Sequence, residues 1–285
     1  MTTRFKLGVI ASTMLVGIGL MAISALEARA TVFSASGAGA SDIQAAVDSF
    51  RAALGALNAN TPTNFADGRR EINWDGVPAA QSDPNPFPGN FFNGSTAGRA
   101  RGILFNTEPG GSFLTSSNAG DPSPVRFGFP NDFATFSAQK LFAPVNSVIT
   151  EVTFFSPANQ TTQALTDGFG AVFTDVEVAG ITRLEYFDRF GALLASEFVP
   201  LSGNQGLSFT GVSFATPVLA KVRITSGANK LVSNGVLDNP NDDVVAMDDF
   251  IYGEPQAVAD AVPVPATTLL LATGLSALAW RRRQL

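Results

Sequence analysis

The sequence predicts a mainly β protein, an antiparallel β-sandwich of jelly-roll-like form with one N-terminal amphipathic helix. From residue 63 onward, short apolar or alternating segments are separated by Gly, Pro, Asn and Asp. This pattern is typical of a sandwich rather than of alternating βα units. Before that region, one stretch has apolar residues at helical spacing. We therefore expect a helical segment over residues 31–62 and one sandwich domain over residues 63–256.

The predicted helix runs over residues 41–58. Ser41 and Gln44 have the spacing of a capping box, in which each side chain bonds to the backbone of the other. Apolar residues then recur every three or four positions, and Pro62 closes the run. The helix should pack this apolar stripe on the domain; the stripe contains Ile43, Ala46, Val47, Phe50, Leu54 and Leu57.

The clearest strands lie in the second half of the chain. Residues 170–178 alternate, with Val172, Thr174 and Val176 on one side. Two further segments flank the turn Asp188-Arg189-Phe190-Gly191, in which Gly191 can supply a positive φ, and predict a hairpin. Later strands are expected over residues 207–214, 220–225 and 244–252.

Composition excludes several chemistries. The chain has no Cys and no His, so disulfides, thiolate nucleophiles, the usual zinc sites and Ser-His-Asp hydrolysis are impossible. Between residues 31 and 280 there are 12 basic and 23 acidic residues, a net charge of −11. Nucleic-acid binding needs clustered Lys and Arg. The composition therefore predicts no nucleic-acid partner and favours cations or neutral sugars.

The N-terminus has the pattern of a secretory signal peptide over residues 1–30. Arg4 and Lys6 precede an apolar core, and Ala28 and Ala30 form a small-x-small cleavage site for signal peptidase. The mature protein would begin near Thr31. The alternative is an uncleaved membrane anchor, and both interpretations place the body outside the cytoplasm.

The C-terminal segment over residues 257–285 contains a short candidate transmembrane helix at 266–280. These residues would span only about 22 Å of a hydrocarbon core about 30 Å thick. Pro263 and Pro265 resist extension of the helix toward the N-terminus. The arginine cluster favours a cytoplasmic end; it comprises Arg281, Arg282 and Arg283.

Together these parts resemble a PEP-CTERM sorting tail of the Val-Pro-x-Pro-Ala form, with the motif formed by Val262, Pro263, Val264, Pro265 and Ala266. Val264 stands where the family's motif has an acidic residue. The resemblance implies recognition by a membrane-embedded exosortase and cleavage near the Pro-x-Pro motif. It further implies transient anchoring in the inner membrane, then release or attachment at a surface rich in exopolysaccharide.

Two acidic stretches are candidate metal sites. The loop from Asp238 to Asp243 is rich in carboxylate and amide oxygens, which suit Ca²⁺ but also suit an ordinary solvated turn. Asp248 and Asp249 lie inside an apolar strand, where alternation should send them to opposite faces. A carboxylate on an inward face is costly unless it is paired or bound to a metal, so we expect one of them to have a defined partner.

The motif Asn73-Trp74-Asp75-Gly76 could supply that partner, because the first and last strands of jelly rolls often lie close. This arrangement loosely resembles calcium-stabilised carbohydrate-binding jelly rolls, which implies that a bound Ca²⁺ would be structural. We expect no required cofactor. The candidate ligands are Asp75, Asp242, Asp243, Asp248 and Asp249. Pairing with Arg69, Arg70 or a backbone N–H is the alternative.

The chain has 24 phenylalanines, most of which we expect in the core. Trp74, Phe87, Phe91 and Phe92 lie in Gly- and Pro-rich loops. They could form an exposed platform for stacking sugars, although plugging an open end of the sandwich is the favoured interpretation.

These observations predict a non-enzymatic cell-surface or extracellular-matrix protein associated with exopolysaccharide or biofilm. The alternative is a secreted carboxylate-dependent glycoside hydrolase or lyase, because paired carboxyl groups can cleave glycosidic bonds. Candidate carboxylates for that chemistry are Glu177, Glu185, Asp188, Asp248 and Asp249.

Overall fold

The computed structural model describes residues 29–118, 126–232 and 243–258. Within these ranges the chain forms one α-helix and fourteen strands. In order they are β1 (Ala30–Gly37), α1 (Ala40–Leu54), β2 (Arg69–Ile72), β3 (Ile103–Asn106), β4 (Ser112–Thr115), β5 (Phe142–Val145), β6 (Ile149–Phe154), β7 (Ala164–Leu165), β8 (Gly168–Thr174), β9 (Arg183–Phe187), β10 (Leu193–Phe198), β11 (Leu207–Phe214), β12 (Lys221–Thr225), β13 (Ala246–Gly253) and β14 (Gln256–Ala257).

The strands form a mainly antiparallel sandwich with jelly-roll order. One sheet runs β1-β11-β8-β13-β5-β4, with β2 also paired to β13, and the other runs β10-β9-β12-β6-β3. The eight strands from β5 to β13, without β7, are divided between the sheets as β5-β13-β8-β11 and β6-β12-β9-β10. This is the strand order of a jelly roll. The predicted fold class is therefore confirmed, including the predicted proximity of the first strand after the helix to the last long strand.

The main core lies between the two sheets. Alternating residues of β6, β9 and β12 point inward, and their neighbours on each strand are half-buried on the opposite face. Trp74 lies in this core, stacked on Phe142 at 4.2 Å between ring centroids and edge-on to Phe250 at 5.2 Å. Its indole N–H donates to the backbone oxygen of Asp248 at 2.8 Å, so the polar end of the buried indole is satisfied.

The seven-stranded sheet is covered on its outer face as well. Helix α1 buries Ile43, Val47, Phe50 and Leu54 against β8, β11 and β13. A second apolar cluster, which includes Phe127, Phe133 and Leu141, covers the part of the sheet near β4 and β5. Both faces of β8 and β13 are consequently buried. This explains why the sequences of these strands are nearly continuous apolar runs.

The helix differs from its prediction at both ends. Gly39 and not Ser41 precedes it, and the Asp42 carboxylate accepts the Gly39 N–H at 3.0 Å. The helix ends at Leu54 because Gly55 turns the chain with φ 93°, a region that glycine enters readily. Leu57 consequently lies beyond the helix and is exposed. Strand β1, which pairs with β11 along eight residues, was not predicted from sequence.

Candidate functional site

Strand alternation predicts that Asp248 and Asp249 point to opposite faces of the sheet. The structure instead places both on the same face. The pairing of β13 with β8 shifts register between Met247 and Phe250. Such a bulge adds a residue and re-aims side chains. Both carboxyl groups consequently lie on the outer face of the large sheet, where the hydroxyl of Ser137 contacts Asp248 at 3.0 Å and Asp249 at 2.7 Å.

The contacts at Ser137 bear on which carboxyl group of the pair carries a proton. A serine hydroxyl has a single hydrogen, so it can donate to only one of the two carboxyl groups, and the other must donate to it. Asp248 is fully buried, and burial, followed by the charge of Asp249, raises its pKa well above the usual value. Burial also raises the pKa of Asp249, but the Arg51 guanidinium at 3.4 Å opposes that rise. The more deeply buried Asp248 is therefore the favoured site for the proton, and Asp249, beside Arg51, is the favoured site for the charge.

The expected partner of the buried carboxylates is the loop that covers the sheet. Asp248 accepts the N–H groups of Phe136 at 2.6 Å and Ser137 at 3.3 Å. Neither Asp75 nor the arginines proposed from sequence fill this role, since Arg70 pairs with Glu254 and Arg69 with Glu71. The carboxyl pair is also sealed from solvent, with Asp249 only 3% exposed.

The other candidate calcium ligands lie elsewhere. Asp75 accepts the backbone N–H of Lys140 at 3.0 Å. Asp243 accepts the N–H groups of Glu177 at 3.0 Å and Val178 at 3.4 Å, while Asp242 lies outside the described residues. Within the described ranges no cluster of three or more acidic side chains is placed to hold a metal ion. The calcium hypothesis stays a prediction.

Charged side chains also lie close together on the outer face of the five-stranded sheet. On this face Lys221 of β12 lies opposite Thr153 of β6 and Phe187 of β9. In the next row Arg223 lies between Glu151 and Glu185. Neither a helix nor another sheet covers these rows in the described part of the chain, in contrast to the large sheet.

A groove of about 840 Å³ opens at one edge of this face. The sheet supplies its floor, the β9–β10 turn supplies one wall, and the segment before β7 supplies another. Hydroxyl and amide groups are frequent in the lining, which includes Asn106, Thr153, Thr161, Thr162 and Gln163. The groove thus combines a hydrogen-bonding wall with the aromatic ring of Phe190, which is 80% exposed.

The β9–β10 turn holds Phe190 outward. The Asp188 carboxylate accepts the N–H groups of Phe190 and Ala192, each at 2.8 Å, and Gly191 has the expected positive φ of 81°. The sequence pattern predicted this turn but not its role. The available signal was an aromatic residue at the tip of a tight hairpin, where packing cannot bury it.

The loop aromatics named from sequence do not form an exposed platform. Trp74, Phe87, Phe91 and Phe92 are all at most 5% exposed and belong to the main core. Arg99 and Arg101 lie over Phe91 and Phe92 at 4.3 and 4.4 Å from the ring centroids and seal this end of the sandwich. The favoured interpretation, a plug at the end of the sandwich, is confirmed.

The fold and the site define a jelly-roll sandwich with an open groove. Its chain carries, at residues 261–283, a match to the family model described as the PEP-CTERM protein-sorting motif. That match includes the whole Val-Pro-Val-Pro-Ala motif and Arg281 to Arg283, so the resemblance drawn from sequence is confirmed. It supports an exported protein that an exosortase processes while it is held transiently at the membrane. No curated protein and no solved structure matches the chain.

The predicted targeting segments lie outside the described residues, apart from Arg29 and Ala30 at the N-terminal end and Ala257 and Val258 at the C-terminal end. None of the helices in the described ranges is long and apolar enough to cross a membrane. The span predicted at 266–280 and the signal peptide before Arg29 therefore stay predictions.

Proposed function

We propose that this protein is a non-enzymatic component of the cell surface or extracellular matrix that binds exopolysaccharide in the groove beside Phe190. Signal peptidase removes residues 1–30, and an exosortase then processes the tail and releases or attaches the jelly roll outside the cell. The proposal includes no nucleic-acid partner and no required cofactor.

The observation that carries the proposal is the exposed ring of Phe190 beside a groove lined by hydroxyl and amide groups. Carbohydrate sites need both elements, because sugar C–H faces pack on aromatic rings and sugar hydroxyls need hydrogen-bonding partners. Burial of the 80% exposed ring of Phe190 against a ligand would gain free energy by removing apolar surface from water. The groove is also open at its edge, which suits a polymer passing through rather than a small enclosed molecule.

The burial of Asp248 and Asp249 supports binding rather than hydrolysis at this pair. Asp248 and Asp249 are buried under Ser137 and cannot reach a polymer. One oxygen of Asp188 accepts two N–H groups of its own turn, which holds this carboxylate in place. Glycoside hydrolysis needs two accessible carboxyl groups on either side of the scissile bond.

The test is affinity electrophoresis of the mature domain in gels that contain dextran, a mixed-linkage β-glucan, alginate or polygalacturonate. We expect retardation by at least one polymer and its loss in Phe190→Ala. Phe198→Ala is the matched control, because Phe198 is 55% exposed on the same sheet but does not line the groove. Unretarded migration of the wild-type protein in every gel would count against the proposal.

One pair of carboxyl groups is compatible with the hydrolase or lyase alternative. Glu151 and Glu185 lie on either side of Arg223 on the open face. Strands two places apart are separated by about 9.6 Å, near the upper end of the range of about 6.5–9.5 Å for inverting glycosidases. Release of reducing ends from the same polymers, abolished by Glu185→Gln, would establish the alternative and refute a purely binding role.

A further inference from the structure

We infer that the groove selects polysaccharides whose sugars carry carboxylates, and that Arg189 and Lys221 read that charge. This inference rests on the proposed function and names its ligand class. Composition alone favoured cations or neutral sugars, because the body between residues 31 and 280 has a net charge of −11. The local distribution of charge at the groove is different.

Arg189 is a cation without a compensating carboxylate. In the described ranges no acidic side chain forms an ion pair with it. Its guanidinium lies 4.7 Å from the ring centroid of Phe190, which holds it at the groove wall. Its neighbour Asp188 also lines the groove, but its carboxylate accepts two backbone N–H groups of the turn and forms no ion pair with Arg189.

Lys221 supplies a second cation on the groove floor. Its ammonium group lies 3.3 Å from the Glu151 carboxylate and 4.9 Å from the ring centroid of Phe187. Arg223 shares the same carboxylate at 3.7 Å, so Glu151 serves two cations. Both partners of the Lys221–Glu151 pair are about one-third exposed, and pairs of this kind contribute little, about 0–1 kcal/mol. Lys221 can therefore exchange Glu151 for a carboxylate of the ligand.

Most other cations of the body are engaged in the structure itself. Arg51, Arg69 and Arg70 pair with carboxylates, and Arg101 and Arg126 donate to backbone carbonyls. The groove lining thus has two cations, Arg189 and Lys221, against one carboxylate, Asp188, on a body that is acidic as a whole. An acidic polymer is attracted there and repelled elsewhere, which orients it along the groove.

The donor groups of Arg189 and Lys221 also suit a sugar carboxylate. Guanidinium groups bind carboxylates through paired N–H donors, and a lysine ammonium binds them as a point charge. The ring of Phe190 contacts Arg189 and lines the same groove as Lys221. A uronate residue can therefore pack its ring on Phe190 while its carboxylate reaches a cation.

The experiment compares polygalacturonate with its fully methyl-esterified form, which has the same backbone without the charge. Titration calorimetry at low salt should show binding to the free acid and at least about tenfold weaker binding to the ester. Arg189→Gln and Lys221→Gln should each weaken binding to the acid by about five- to tenfold. Affinity for the acid should also fall as salt rises.

Arg99→Gln is the control, because Arg99 is exposed and lies over a phenylalanine ring but does not line the groove. Thermal melting of each variant checks that it remains folded. Equal binding of acid and ester, or unchanged binding by both groove variants, would overturn this inference and leave the proposed function standing. If neither these polymers nor the four polymers of the electrophoresis gels bind, both fail.

Discussion

The Ser137 hydroxyl lies between the carboxyl groups of Asp248 and Asp249, at 3.0 and 2.7 Å, and joins the loop before β5 to the bulge in β13. The Arg51 guanidinium continues this chain of contacts from Asp249 to helix α1. Three separate parts of the outer layer are thus joined by one buried polar network. Such a network stabilises the fold only when each of its members is satisfied.

Ser137→Ala tests this network. Removal of the hydroxyl leaves two adjacent buried carboxyl groups without their shared partner, and an unsatisfied buried polar group costs about 1–3 kcal/mol. We expect a loss of that size in the free energy of unfolding measured by urea titration. Ser95→Ala, at an exposed position, should change it by less than about 0.5 kcal/mol. Equal stability of the two variants would contradict the assigned network.

Asp175 predicts an unusual dependence of stability on pH. Burial, with a smaller contribution from the charge of Glu177, raises its pKa to about 7. The native state then binds more protons than the unfolded state at every pH between about 4 and 7. Stability should therefore fall as pH rises through this window and level off above it, which is the opposite of the effect of an ion-paired carboxylate.

The variant Asp175→Asn should remove this part of the pH dependence. Asparagine tolerates the positive φ of 71° at this position. We expect a gain of about 1 kcal/mol at pH 8, or about 2–4 °C in Tm, and little change at pH 5. Asp67→Asn, at an exposed site, serves as control. A gain of equal size at both pH values would show that the effect does not come from titration.

Arg70 and Glu254 form a buried ion pair, with their side chains 0% and 1% exposed and two N–H···O contacts at 2.7 and 2.8 Å. Glu254→Gln leaves the guanidinium charge buried without a counter-ion, which typically costs about 3–5 kcal/mol. The same change at Glu185, in the half-exposed pair with Arg183, should cost less than about 1 kcal/mol. Urea unfolding of both variants provides the measurement. Similar losses would mean that burial does not distinguish the two pairs.

The calcium hypothesis for Asp75, Asp242, Asp243, Asp248 and Asp249 has a direct test. A cation that binds only the native state raises its stability by mass action, so chelation with EDTA should lower the Tm and added Ca²⁺ should restore it. Magnesium serves as the control for ionic strength. An unchanged melting midpoint after chelation would refute a structural calcium ion.

The fold was predictable from sequence because turn residues and alternation mark antiparallel strands directly. The strand Leu207–Phe214 and the hairpin around Gly191 were recovered with close boundaries. Strand β1 was missed, because its residues apart from Val32 and Phe33 are small or polar and carry no clear alternation. Edge pairing depends on a partner far along the chain, which local patterns do not show.

The site was less predictable. Alternation placed Asp248 and Asp249 on opposite faces, but the bulge, a feature of pairing with β8, reversed that expectation. The groove depends on which face of the small sheet stays uncovered, and this follows from the packing of α1 and the loop before β5 on the other sheet. The sorting tail, in contrast, could be identified from sequence alone, because its signal is a short linear motif.

The most direct test of the account is mass spectrometry of the intact mature protein, recovered from the medium and cell surface of its native host. We predict an N-terminus near Thr31 and a C-terminus near the motif that contains Pro263 and Pro265. The full-length chain found only in the cytoplasm, with both ends intact, would contradict export and exosortase sorting, and with them the proposed role at the surface.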